Sequence, residues 1–146
     1  MKRKELMSLM RVADTEVRES KLMLSHCPTP FELICFHSHQ AVEKYLKAFL
    51  IFNDIKFSEQ SHILPALNEL CEKVDCKFEN LIPVCWKLAQ YANIIKYPRD
   101  NDLDMRAATE AVEHAIEVKW FVPIIHLRSA IGYNELDSVW VCNKFG

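Results

Sequence analysis

The sequence predicts an all-α protein, an up-and-down bundle of four to five helices. Three observations carry that reading. Half of the 146 residues are hydrophobic, only 2 are glycine, and the apolar residues recur at three- and four-residue spacing in long blocks. So few turn-formers exclude a sandwich or barrel of many short strands. The length suits one domain with a core of its own.

The first helix is expected over about Arg3–Ser25, with Leu6, Met10, Ala13, Val17 and Leu24 on one apolar face. Cys27-Pro28-Thr29-Pro30 ends it and opens the second helix. Thr29 is read as the N-cap, Pro30 as the first helical residue and Glu32 as the closing acid of a capping box. This helix should reach Phe52. Its apolar arc holds Ile34, Cys35, Ala41, Val42, Tyr45, Leu46, Ala48, Phe49 and Phe52, about half the circumference at 100° per residue. A helix so apolar needs neighbours on several sides, so it belongs at the centre of the bundle. Gln40, Glu43, Lys44 and Lys47 fall on the opposite arc, with His37 and His39 at its two borders.

Asn53–Gln60 reads as a connector. Ser61 is taken as the cap of a third helix, Ser61–Val74, with Leu64, Leu67, Leu70 and Cys71 inward. A fourth helix is expected over Asn80–Ile95, burying Leu81, Val84, Cys85, Leu88, Ala92 and Ile95. Lys96–Asp102 is the most polar loop. Asp102 or Asp104 can cap a fifth, alanine-rich helix, which Pro123 should kink or end near Phe121. An apolar helical tail is expected to continue to about Ala130. One helical domain thus covers residues 1–130, followed by a C-terminal tail, 131–146, to which the sequence gives no clear role.

Net charge is −2, so bulk electrostatics do not predict a strong nucleic-acid binder. No apolar stretch is long enough to cross a membrane, and the basic start lacks the apolar run of a secretory signal; the expected location is the cytoplasm. Cys27, Cys35, Cys71, Cys76, Cys85 and Cys142 form no Cys-x-x-Cys pair and read as reduced, mostly buried thiols. His37 and His39 lie about 200° apart on a helix and cannot share a metal. No metal or cofactor is expected.

The run Gln40-Ala-Val-Glu-Lys-Tyr-Leu-Lys-Ala-Phe-Leu50 resembles the central signature of the HEPN domain family, matching it at Gln40, Ala41, Glu43, Lys44, Leu46, Lys47, Ala48 and Leu50. Ser61-His62-Ile63-Leu64 resembles the family's Ser/Thr-His-x-Leu helix start. Leu88-x-x-Tyr91 with Tyr97-Pro98 resembles its Leu-x-x-Tyr and Arg-Tyr-Pro segment, with Lys96 in place of the arginine and Arg99 following the proline. The resemblance spans about residues 5–125.

Two activities follow from that resemblance. Many HEPN proteins are metal-independent ribonucleases whose motif is an arginine followed, after roughly four to six residues, by a histidine, a general acid–base beside a phosphate-holding cation. Here Arg106 and His114 have seven residues between them, and a regular helix puts them about 80° apart. The other branch assists a small nucleotidyltransferase, and this chain lacks that enzyme's Gly-Ser and Asp-x-Asp motif. The resemblance therefore implies a non-catalytic binder of an ATP- or GTP-like nucleotide, accessory to a separate nucleotidyltransferase and homodimeric. The alternatives are a ribonuclease acting on RNA, as the toxin of a toxin–antitoxin pair, and a homodimeric interaction domain using the Val139-Trp140-Val141 tail.

The candidate binding residues are Gln40, Lys44, Lys47, Tyr91, Lys96, Tyr97 and Arg99. The cations would neutralise phosphates and a tyrosine would stack on a base. The bland alternative is a solvated helix face with Glu43 and Lys47 as an i,i+4 surface pair. Tyr91 also reads as a core tyrosine with its hydroxyl at the edge, and His62 as a local capping or packing residue.

Overall fold

The computed structural model describes residues 2–26, 30–58, 61–94 and 103–122. Among them are five α-helices: α1 (Lys2–Ser25), α2 (Phe31–Phe52), α3 (Leu64–Val74), α4 (Ile82–Ala89) and α5 (Met105–Phe121), with a 3-10 helix, Cys76–Leu81, between α3 and α4. None of these helices is long and apolar enough to cross a membrane.

α2 is the central element. It packs against α1, α3, α4 and α5, and none of its 22 residues is exposed. Contacts along α1 and α2 run in opposite senses: Lys2 meets Asp54, Asp14 meets Tyr45 and Glu16 meets His37. The two helices are therefore antiparallel. The chain then crosses with α3, whose Cys71 thiol donates to the Leu46 carbonyl at 3.7 Å. Phe78 packs at a tilt against Phe49 and edge-on to Phe121, at 4.5 and 5.3 Å between ring centres. α4 returns toward the start of α2, and α5 runs alongside α2 in the same sense. Tyr45, Leu46, Leu50, Leu67, Leu81 and Leu88 are fully buried in the shared core, each contributing on the order of 2 kcal/mol.

A polar knot crosses this core. The Tyr45 hydroxyl donates to the buried Asp14 carboxylate at 2.6 Å, and the buried Lys119 ammonium lies 3.7 Å from the same oxygen. Three helices are thereby pinned in register, because an unmatched charge at this depth would cost several kcal/mol. Tyr45 was expected in the apolar arc. Asp14 sits one turn past Met10 on the apolar stripe of α1, which is its only trace in the sequence.

The helix ends follow local chemistry. α2 closes in a Schellman motif: Ile55 N–H donates to Leu50 O and Asp54 N–H to Ile51 O. Asp54 takes the left-handed position, φ 57°, where glycine is usual. Asp104 caps α5, its carboxylate accepting from Ala107 N–H at 2.9 Å. α5 ends at Phe121, as the proline at 123 requires. The α2 start differs by one residue from expectation. Pro30 is the N-cap, with extended ψ 123°, and its carbonyl accepts from Ile34 N–H; Thr29 lies outside the described residues.

α3 starts at Leu64 with Ile63 as its N-cap, two residues later than the Ser61 cap predicts. A Ser61 cap would make Pro65 the residue that donates the first helical hydrogen bond, and proline has no N–H to give. Starting at Leu64 puts Pro65 in the first turn, where none is needed. The fourth helix is likewise shorter than Asn80–Ile95. Residues 76–81 form the 3-10 helix, capped by Asp75 through Lys77 N–H, and after Ala89 the chain tightens into i→i+3 turns. Leu81, Val84, Cys85 and Leu88 are buried as expected, joined by Tyr91 and Ile94. Ala92 and Leu24 are half-buried. Ile95, the Lys96–Asp102 loop and everything from Pro123 onward lie outside the described residues.

Candidate functional site

Gln40, Lys44 and Lys47 come together on one face of α2, and that face is not the solvated surface the arc predicts. Glu43, between them, is 5% exposed. Its carboxylate accepts from Lys47 Nζ at 3.4 Å through one oxygen and meets His62 Nδ1 at 3.0 Å through the other. The segment entering α3 folds across the face, carrying His62 with it. Lys47, only 11% exposed at its side chain, also lies over the Phe57 ring, 5.9 Å from its centre. The Glu43–Lys47 pair is thus a buried support rather than a surface pair.

Lys44 differs. Its ammonium donates to the Gln40 amide oxygen at 3.0 Å and has no carboxylate partner among the described residues. A half-buried cation whose only bond is to a neutral amide keeps most of its positive charge for an incoming anion. His62 stands beside this group with 62% of its side chain exposed. With Nδ1 turned to Glu43, Nε2 is the ring nitrogen left to face a ligand.

Below the face lies His39, 1% exposed. Its ring nitrogens make no well-formed hydrogen bond among the described residues, and the backbone of His62 is the polar group that approaches the ring. Burial pushes the His39 imidazolium down to about 4, against an opposing pull from Glu43 and further lowering by Lys44 and His62. The ring is therefore neutral at physiological pH, so it adds no charge to the site above it.

Tyr91 belongs elsewhere. It is buried with its hydroxyl against the Cys35 thiol, and burial followed by Cys35 pushes it up to about 12. It lines a cavity of about 130 Å³ between α4 and α5 with Lys87, Gln90, Glu110 and His114. Glu110 binds both Lys87 and His114, and these hydrogen bonds hold its carboxyl below the usual range. The His114 ring also faces Glu117, at 3.5 Å. None of the α2 cluster lines this cavity. Lys96, Tyr97 and Arg99 lie outside the described residues.

Arg106 and His114 do not converge. α5 is continuous from Met105 to Phe121, so no kink closes their angular offset; Arg106 is exposed and takes no part in the cavity that holds His114. Burial raises the thiols of Cys35 to about 11 and of Cys85 to about 12, and raises Cys71 as well. All three stay protonated and serve as small packing groups. Cys76 is exposed; Cys27 and Cys142 lie outside the described residues. No cluster of metal-ligating residues occurs among the described residues.

The chain matches the model of the HEPN domain over residues 6–125 and belongs to the HEPN family. No curated protein and no solved structure matches it significantly.

Proposed function

We propose that this HEPN domain is a non-catalytic binder of a phosphate-bearing nucleotide, ATP- or GTP-like, acting for a separate small nucleotidyltransferase. The supporting observation is Lys44, a half-buried ammonium without a carboxylate partner among the described residues, next to His62, whose Nδ1 is tied down by Glu43. Glu43 offsets Lys47, so one uncompensated cation and one outward imidazole remain for an anion. Gln40 steadies Lys44 and can turn its amide toward a ribose or phosphate oxygen.

The divergence of Arg106 from His114 supports binding over RNA cleavage, because acid–base transfer and phosphate neutralisation have to meet at one phosphodiester. Isothermal titration of the purified chain with ATP, GTP, ADP and GDP should give saturable heat with at least one of them. Lys44→Gln should weaken that binding about tenfold, the loss of one charge-assisted contact. RNA incubated with the protein should stay intact. An absence of heat with all four nucleotides, or RNA cleavage that His114→Ala abolishes, would overturn the proposal.

A further inference from the structure

A depression of about 430 Å³ between α3 and α4 joins apolar walls to unneutralised carboxylates. Ile63, Ile82 and Trp86 form the walls, and the indole is 66% exposed. The polar groups all come from α3: Asn68, Glu69 and Glu72. Glu69 and Glu72 are three residues apart, so they are neighbours on the helix surface and repel each other. Neither makes an ion pair among the described residues. Glu72 also stands in the last turn of α3, where the helix dipole favours a cation.

Asn68, 1% exposed, points to the same kind of ligand independently. Its amide nitrogen donates to Phe78 O at 3.0 Å, which fixes the orientation of the group, since only the nitrogen can donate to a carbonyl. The opposite edge of the amide, Oδ1, has no partner among the described residues. An acceptor buried that deeply is costly unless an N–H reaches it. Asn68 Oδ1 and both carboxylates are acceptors, and no lysine or arginine lines the depression. The complementary ligand is therefore a cation that carries N–H donors. The exposed indole face attracts the same charge, and the isoleucines suit a hydrocarbon chain. A hydrated metal ion would use the carboxylates but neither the indole nor the isoleucines, and no metal-ligating cluster occurs among the described residues.

We infer that the α3–α4 depression is a binding site for an aliphatic diamine, a short alkyl chain with an ammonium group at each end. One ammonium sits between Glu69 and Glu72 and donates an N–H to Asn68 Oδ1. The alkyl chain crosses the apolar wall of Ile63 and Ile82. The second ammonium lies against the Trp86 ring. Occupation removes the repulsion between the two carboxylates and completes the hydrogen bonding of Asn68. The site takes a cation, whereas the α2 face keeps Lys44 for an anion, so the inference does not depend on that face binding a nucleotide.

Isothermal titration of the full chain with 1,4-diaminobutane at low salt tests it. The wild type should give saturable heat at one site, weakened by added salt. Butylamine, with one ammonium, and magnesium chloride, with charge but no hydrocarbon, should each bind about tenfold more weakly or worse. The double variant Glu69→Gln, Glu72→Gln should lose the heat. Trp86→Leu should weaken binding about tenfold, because it keeps an apolar wall but loses the π face. Both variants alter exposed or half-buried side chains and should keep a wild-type circular dichroism spectrum. An absence of heat with 1,4-diaminobutane overturns the inference. So does heat that survives the double variant, binding unchanged in Trp86→Leu, or magnesium binding as tightly as the diamine, which would reduce the site to a patch that collects counterions.

Discussion

At the scale of single residues, the polar side chains of α2 divide by what lies over them. Glu43 and His39 are covered and Lys44 is only half covered. His39 has a thermodynamic signature. Its folded value lies near 4 against an ordinary 6.5, so between those limits the unfolded chain binds a proton that the folded chain refuses. Stability therefore falls as pH drops through this window and is regained as pH rises above it. Glu43, Lys44 and His62 face the ring and set the rest of its field. Comparing urea unfolding at pH 7 and pH 5, His39 should account for about 2 kcal/mol of the loss. His39→Leu should remove that portion of the pH dependence, and an unchanged pH dependence in the variant would count against a desolvated neutral ring. The residues of this cluster were only partly legible in the sequence. Gln40, Lys44 and Lys47 follow from helical spacing, but Glu43 and His62 lie 19 positions apart, and no local periodicity connects them. Two separate motifs of the family signature, one on α2 and one before α3, were the only hint that they meet.

At the scale of elements, helix existence was readable and helix starts were less so. Apolar periodicity is a property of many residues together, whereas a start depends on one or two backbone groups. Pro65 illustrates this. Its missing N–H moves the start of α3 to Leu64 even though Ser61 is the better capping residue. Over residues 76–94 the chain spends its length on 3-10 and turn geometry around one short α-helix, and the apolar spacing there imitates a single longer helix. Asp104, in contrast, does what its side chain suggests. Asp104→Ala should cost about 1 kcal/mol, read as a lower urea midpoint at unchanged slope. Because α5 carries both Lys119 of the buried knot and His114 of the α4–α5 cavity, fraying at its first turn should loosen the cavity before the knot. An unaltered midpoint would mean that the cap hydrogen bond to Ala107 contributes nothing net.

At the scale of the whole molecule, the bundle follows from α2. One helix without an exposed residue forces four others around it, and the chain meets that demand by running α1 against it and returning with α4 and α5. The composition and the length of the apolar blocks were enough to predict this class of fold. They could not reveal the polar crossing Asp14–Tyr45–Lys119 or the separation of Tyr91 from Lys44, since both depend on which faces the packed helices turn toward one another. The account leaves two candidate anion sites on opposite sides of the core: the α2 face closed by His62, and the α4–α5 cavity that holds Lys87 and His114. The first keeps an uncompensated cation, while in the second Lys87 and His114 already share Glu110. The most direct test is a map of backbone amide NMR shifts during titration with the nucleotide that gives heat. The account predicts perturbations on residues 40–47 of α2 and residues 61–63 before α3. Perturbations confined to residues 87–91 and 107–114, with the α2 face unchanged, would contradict it.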